Sequence, residues 1–223
     1  MQVRVVAVVA LVALAWSSSA FAQTPAARLA ALLRAGASER SVHYVSVNTG
    51  PGVRIMFVGD AARTGGVQRV MLSEHGETGH ATAIRIGRTV YVKGDAFGLK
   101  SLGVVPAATA RTDADTWLRI VPGDHNYAAI AEGIDLADVM SGLDFPGSLV
   151  KARLGAFGVS GKGTVNGKPA TAFLYASRSL PHLPARENAS DGKNRSNVVL
   201  SRWNEAVRLV APSRSIRASG VAA

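Results

Sequence analysis

Val53-Arg54-Ile55-Met56-Phe57-Val58, Val67-Gln68-Arg69-Val70-Met71-Leu72, Ala81-Thr82-Ala83-Ile84-Arg85-Ile86 and Thr89-Val90-Tyr91-Val92-Lys93 follow one another with only short glycine-bearing gaps between them. Each run is rich in β-branched residues and too short for an ordinary helix. Alternation is partial, as in Ile84-Arg85-Ile86 and Val90-Tyr91-Val92, which suits strands with one buried and one wet face. The gaps Pro51-Gly52, Gly65-Gly66 and Gly87-Arg88 read as tight turns, so neighbouring strands pair antiparallel. With Val42 to Val47 in front, the stretch from Ser41 to Lys93 is a five-strand meander.

On its N-terminal side, Thr24-Pro25 precedes the helix formers Ala26 to Arg34, and Gly36 follows as a stop, which predicts a first helix. On the other side, Asp95 to Leu102 reads as a short helix and Thr116 to Val121 as a strand. Asp124 to Leu143 reads as helix broken near Gly133. Tyr127, Ile130, Ala131 and Ile134 recur there at helical spacing, as do Leu136, Val139, Met140 and Leu143, and Asp124 and Asp135 stand at N-cap positions. A second strand group is expected at Leu154 to Val165 and Lys168 to Ser177 around an Asn166-Gly167 turn, then at Ser196 to Ser201 and Ala206 to Val210. Pro181, Pro184 and the polar run Glu187 to Asn197 read as a connecting loop. This order implies one α+β domain with helices on one face of a large antiparallel sheet, and a long meander tends to curl.

Near its start the sequence of 223 residues has one basic residue, Arg4, then an uncharged run from Val5 to Ala15, and then Ala20-Phe21-Ala22. Residues 1–22 therefore read as a secretion signal, the apolar run being well short of the roughly 20 residues that span a bilayer. The expected product is exported, periplasmic or secreted, and soluble. There is no cysteine, so neither disulfides nor a lipid on an N-terminal cysteine is expected. Arg4 is the only charge in the signal, so the formal charge of +10 falls to +9 without it. Residues 178–223 carry eight Arg or Lys against Glu187, Asp191 and Glu205. Such a balance favours anionic surfaces, while the lack of a recognition motif and the few aromatics argue against nucleic acid. Ser213 to Ala223 reads as a flexible basic tail.

Catalytic patterns fail. Gly158-Val159-Ser160-Gly161-Lys162 lacks the last glycine of a nucleophile elbow, and Gly161-Lys162-Gly163-Thr164 lacks the spacing of a phosphate loop. Glu74, His75, Glu77 and His80 are the one candidate metal cluster, but their spacing matches no zinc signature and a solvated turn is the simpler reading. No catalytic residue, metal or cofactor is assigned. What remains is apolar surface on the two central helices and beside it Phe97, Leu99 and Leu102. It can be ordinary core or the wall of a cavity, and periodicity does not separate the two.

The order of features is similar to that of the LolA-like superfamily of periplasmic lipoprotein carriers, and most similar to the LppX/LprG-type envelope lipid-binding proteins of actinobacteria. The resemblance rests on the N-terminal helix after the signal, Val90-Tyr91-Val92-Lys93-Gly94, Trp117, the paired central helices, Leu180-Pro181-His182-Leu183-Pro184, and Leu200-Ser201-Arg202-Trp203 with Val207 and Ala211-Pro212. It implies a single domain over residues 23–212: an incomplete, strongly curved antiparallel β-barrel, or half-barrel, with helices on its concave face. It also implies a non-enzymatic, monomeric carrier whose apolar cavity takes the acyl chains of lipids, glycolipids or lipoproteins. Such a carrier would touch membrane surfaces and envelope donor or acceptor proteins transiently. The family pattern carries no signature residue. From the helical spacing here, Tyr127, Ile130, Ile134, Val139, Met140 and Leu143 are the expected lipid-binding residues. LppX-type members carry a lipidated cysteine where this chain has Ala20-Phe21-Ala22-Gln23, so a free carrier is expected. The alternative is an envelope binding module with a filled core that presents its basic surface to an anionic polymer or a protein partner.

Overall fold

The computed structural model describes residues 24–143, 151–155, 158–165 and 168–218. The segment read as a secretion signal and the Asn166-Gly167 turn lie outside the described residues. Helix α1 spans Pro25–Ser38, with the Thr24 hydroxyl accepting from the Ala27 amide at 3.2 Å and Pro25 in the first turn, where a missing N–H costs nothing. Its buried face carries Leu29, Leu32 and Gly36. A β-carbon at Gly36 would stand 2.5 Å from the Met140 sulfur, so this glycine lets a later helix approach.

The meander forms as five strands, β1 Ser41–Gly50, β2 Val53–Ala62, β3 Gly65–Glu74, β4 Glu77–Ile86 and β5 Thr89–Gly94, each antiparallel to the next. One turn differs from the expectation: β2 and β3 are joined by Arg63-Thr64, and Gly65-Gly66 open β3. The glycine is needed for a close approach instead, because a β-carbon at Gly66 would lie 2.1 Å from the Ile134 carbonyl oxygen.

Next come α2 Ala96–Ser101, α3 Ala110–Asp113, β6 Leu118–Ile120, α4 Tyr127–Ala131 and α5 Leu136–Ser141. Asp95 caps α2 and Asp135 caps α5, accepting from the Gly98 and Asp138 amides at 2.6 and 2.9 Å. Asp124 does not cap a helix: Asn126 holds that position, and the Asp124 carboxylate accepts from the Val121 amide at 2.8 Å and from Arg217 at 2.6 Å. The break falls at Gly133, whose φ of 77° lies in the left-handed region.

The second strand group is β7 Lys151–Gly155, β8 Gly158–Val165, β9 Lys168–Ala176, β10 Pro184–Ser190 and β11 Arg195–Ser201. The run expected as one strand from Leu154 to Val165 is thus the meeting of two, paired at Gly155 and Gly158. The expected loop from Glu187 to Asn197 contains most of β10, which pairs with β9 and β11. Only Asp191 to Asn194 turn there, and the Asp191 carboxylate accepts from the Lys193 and Asn194 amides. Ala206 to Val210 form no strand. The physical reason is that β11 is already paired on both sides, with β1 and β10, so the chain must travel to another edge. It does so as β12, Ile216–Arg217, parallel to β6, and Ala218 beyond it is buried. These residues of the stretch read as a tail are held by the Arg217 contact to Asp124.

All strands join one sheet in the order β12-β6-β5-β4-β3-β2-β1-β11-β10-β9-β8-β7, two meanders fused at the β1–β11 pair. Among the described residues the fold is α+β with a large, mostly antiparallel sheet and five helices. The expected strong curl into a half-barrel is corrected: the sheet is open and not strongly curled. Curling requires bulges or glycine kinks, and among the described residues the ladders show one register shift, between Pro184 and Arg186.

Candidate functional site

Two hydrophobic clusters lie under the helix-covered face. One joins Leu29 and Leu32 of α1 to Val139 and Met140 of α5 over Val42 and Leu174. The other joins Leu99, Val104 and Ile134 to Val90, Val92 and Leu118. Between them the sheet and the α4–α5 pair border a half-open cavity of about 470 Å³, within the roughly 300–1,000 Å³ of small-molecule sites. Its walls take residues from both clusters, so the cavity is the seam that neither core fills.

The floor comes from alternate residues of five neighbouring strands. Tyr44, Phe57, Val70, Ala83 and Val92 line it, and Ala81 lies beside them. On β4 the inward positions are Ala81 and Ala83, opposite Val70 and Gln68. Small side chains there, where Leu or Ile would be the ordinary choice for a packed sheet, are what leave the space open. Ile130, Val139 and Leu143 of the helix pair form the roof, and Leu102 and Val104 close one side. Of the six residues expected to bind lipid, these three line the cavity. Ile134 is fully buried in the second cluster, Tyr127 packs against that cluster, and Met140 is turned toward Gly36 of α1. The spacing that nominates them marks a buried helical face but not which neighbour it buries against. The floor residues carry a signal too, the alternation of Ala81 with Ala83 and of Val90 with Val92, but alanine does not announce a void.

The roof is pinned at three points. The Tyr44 hydroxyl donates to the Gly133 carbonyl at 3.0 Å and accepts from Gln68 Nε2 at 2.8 Å. Burial pushes the Tyr44 phenol above its ordinary value, against the pull of the Gln68 hydrogen bond, so it stays protonated and keeps donating. Gly59, paired with Tyr44 across β1 and β2, leaves room for this ring, since a β-carbon there would lie 2.5 Å from it. Arg85 Nη1 reaches the Ala131 carbonyl at 3.1 Å, Asp135 at 2.9 Å and Asp138 at 2.7 Å, bridging the end of α4 and the start of α5. Asp138 is raised above the ordinary carboxylate value by desolvation and by Asp135, and Arg85 opposes both. The third point is the Ile134 carbonyl against Gly66.

The opposite end is polar. Ser46, Asn48 and Ser196 line the cavity there, and Asn48, Gly142 and Ser196 also line a second groove of about 410 Å³. Glu187 stands in that groove at 5 % exposure, and burial raises its carboxyl to about 7. His75 and His80 are not gathered into a cluster: His80 pairs with Asp95 at 2.6 Å, and His75 sits in the turn between β3 and β4. Among the described residues no three His, Asp or Glu side chains are placed to hold a metal ion. No helix among them is long and apolar enough to cross a membrane.

No family model matches the sequence, and no curated protein matches it. Two solved structures are similar in fold over most of the chain. One is LprF from Mycobacterium bovis, at 14 % identity over 82 % of this chain and 94 % of that one, with a TM-score of 0.48. The other is the lipoprotein LppX from Mycobacterium tuberculosis, at 15 % identity over 83 % of this chain and 98 % of that one, with a TM-score of 0.49, a protein of the type that the sequence resembles.

Proposed function

We propose that the protein is an extracytoplasmic carrier that shields acyl chains of a lipid, glycolipid or lipoprotein in the cavity between the sheet and the α4–α5 pair. The observation that carries this reading is the seam itself: a mainly apolar space of about 470 Å³, floored by Tyr44, Phe57, Val70, Val92 and two alanines, with Gln68, Glu132 and Asp138 also on its walls, and roofed by a pinned helix pair. An ordinary core of this composition would close that space, because a void forfeits contacts on every wall. Burial of each CH₂ is worth about 0.8 kcal/mol, so a chain of ordinary length is held without any covalent step. The polar end at Ser46, Asn48 and Ser196 suits the end of the ligand that carries its head. The export expected from residues 1–22 puts the carrier where envelope lipids are.

The test is a titration of the delipidated protein with a fluorescent fatty acid. The proposal expects saturable uptake with one chain per cavity, competed by unlabelled acyl chains, and no uptake by Ile130→Lys, which places a charge in the roof. Equal uptake by the folded variant would sink the assignment. A protein that takes no chain but binds an anionic wall polymer would fit the alternative, a binding module.

A further inference from the structure

The face of the sheet away from the helices carries a pattern of its own. Register makes it legible, because residues paired across successive strands point to the same side. One row runs Tyr175, Arg186, Val199, Val45, Val58 and Arg69 from β9 to β3, and continues to Thr82 and Lys93. The next runs Phe173, Asn188, Asn197, Val47, Met56 and Met71, ending at His80. The third contains Arg195, Thr49 and Arg54. Tyr175, Val199, Phe173 and Met71 are 40–46 % exposed, with Met71 on β3 and the two aromatics on β9 at opposite ends of a band whose middle is the half-buried Val45, Val47, Met56 and Val58.

Charge in these rows is cationic, and the carboxylates at their margin are engaged, Asp95 by His80 at 2.6 Å at the end of the second row. The three rows hold Arg54, Arg69, Lys93, Arg186 and Arg195 and no carboxylate. None of the five is in an ion pair among the described residues. Asp60, in the adjoining row, is already engaged by His43 and Arg202. The neighbouring hollows, beside Met56 and Met71 and beside Phe173 and Asn197, are open grooves of about 410 and 280 Å³. Eight strands at about 4.8 Å spacing make this band roughly 35 Å wide, a broad and open-sided platform.

We propose that this outer face is a docking surface for anionic lipid bilayers, with the valine, methionine and aromatic band at the headgroup boundary and the flanking arginines on lipid phosphates. The combination selects the partner: cations without an ion pair among the described residues draw the protein to an anionic surface, and apolar side chains spread from β9 to β3 with open grooves between them meet a fluid interface. The helices and the cavity lie on the other side, so docking leaves the roof uncovered. The docking face stands independently of the carrier reading, because it concerns attachment and not cargo.

The test is flotation of the full chain with vesicles of phosphatidylcholine, with and without phosphatidylglycerol. Binding is expected only to the anionic vesicles, falling with added salt. Arg54→Glu with Arg69→Glu should lower the partition about tenfold or more, and Met71→Ser with Phe173→Ser should lower it at unchanged charge. Arg208→Glu with Arg214→Glu, in the segment after β11, should leave it within about twofold. Far-UV circular dichroism shows that each variant is folded. The proposal fails if wild-type protein ignores anionic vesicles, if the face variants float as wild type does, if the Arg208 and Arg214 changes cause the loss, or if the face captures a soluble protein and no lipid. Ala83→Trp, designed to fill the cavity, should still float, which keeps failure of cargo binding separate from failure of docking.

Discussion

Ala83 sits on the cavity floor, paired with Gln68 on one side and Val92 on the other, and presents a methyl group where a larger side chain would close the space. Ala83→Trp should therefore fold with a cost of about 1–3 kcal/mol at most, while fluorescent acyl uptake disappears. Met140 gives the contrasting case. It belongs to the same helical face as Val139 but is packed on Gly36, so Met140→Lys should lower stability by about 3 kcal/mol or more through a buried charge, measured by urea unfolding. Glu187 has a different signature. Its folded carboxyl is raised to about 7 by burial, from about 4.5. Below the lower value both states are protonated and nothing is lost. As pH rises between the two, the unfolded chain ionises while the folded one holds its proton, so stability falls across that window and levels off above it. Allowing for water in the groove, the loss should be about 2 kcal/mol between about pH 4 and about pH 8. Glu187→Gln should abolish it in urea melts at the two pH values.

At the scale of elements, the α4–α5 pair is the part whose stability depends on a few polar contacts. The two helices are five and six residues long and would not persist alone. Arg85 is the clamp that joins both to β4. Arg85→Met should raise hydrogen exchange of residues 127–141 by about tenfold or more with little change in the sheet, because Asp135 and Asp138 are left facing each other without their cation. Uniform exchange across sheet and helices would contradict this. These elements were unevenly legible in the sequence. The first meander could be read because glycine stands in three of its four turns and directly after the fourth, and α5 because Asp135 stands at its cap. β10 could not, since Pro184 to Ser190 reads as loop on composition and becomes strand only through pairing on both sides. Ala206 to Val210 failed in the opposite sense, a strand-like run with no free neighbour to pair with. The cavity was half legible: helical spacing found Ile130, Val139 and Leu143, but the floor depends on the absence of bulk at Ala81 and Ala83, which no hydrophobic pattern reports.

At the scale of the whole molecule, the two proposals use opposite faces of the open sheet. The inner face, with the helices, supplies the seam between two cores; the outer face gathers unpaired cations around an apolar band. A closed barrel would have hidden one of these surfaces, so the absence of strong curl bears on function. The openness goes with ladders that run in register from β11 through β1 to β4, a long-range property that the glycines of the individual turns do not encode. The central claim, that the seam holds an acyl chain, is tested most directly by native mass spectrometry of the protein purified from its own host, before and after solvent extraction. The account predicts a reproducible added mass on the wild-type chain that extracts as lipid and is missing from folded Ala83→Trp. A wild-type chain that flies at its bare mass, or a variant that keeps the same adduct, would contradict it.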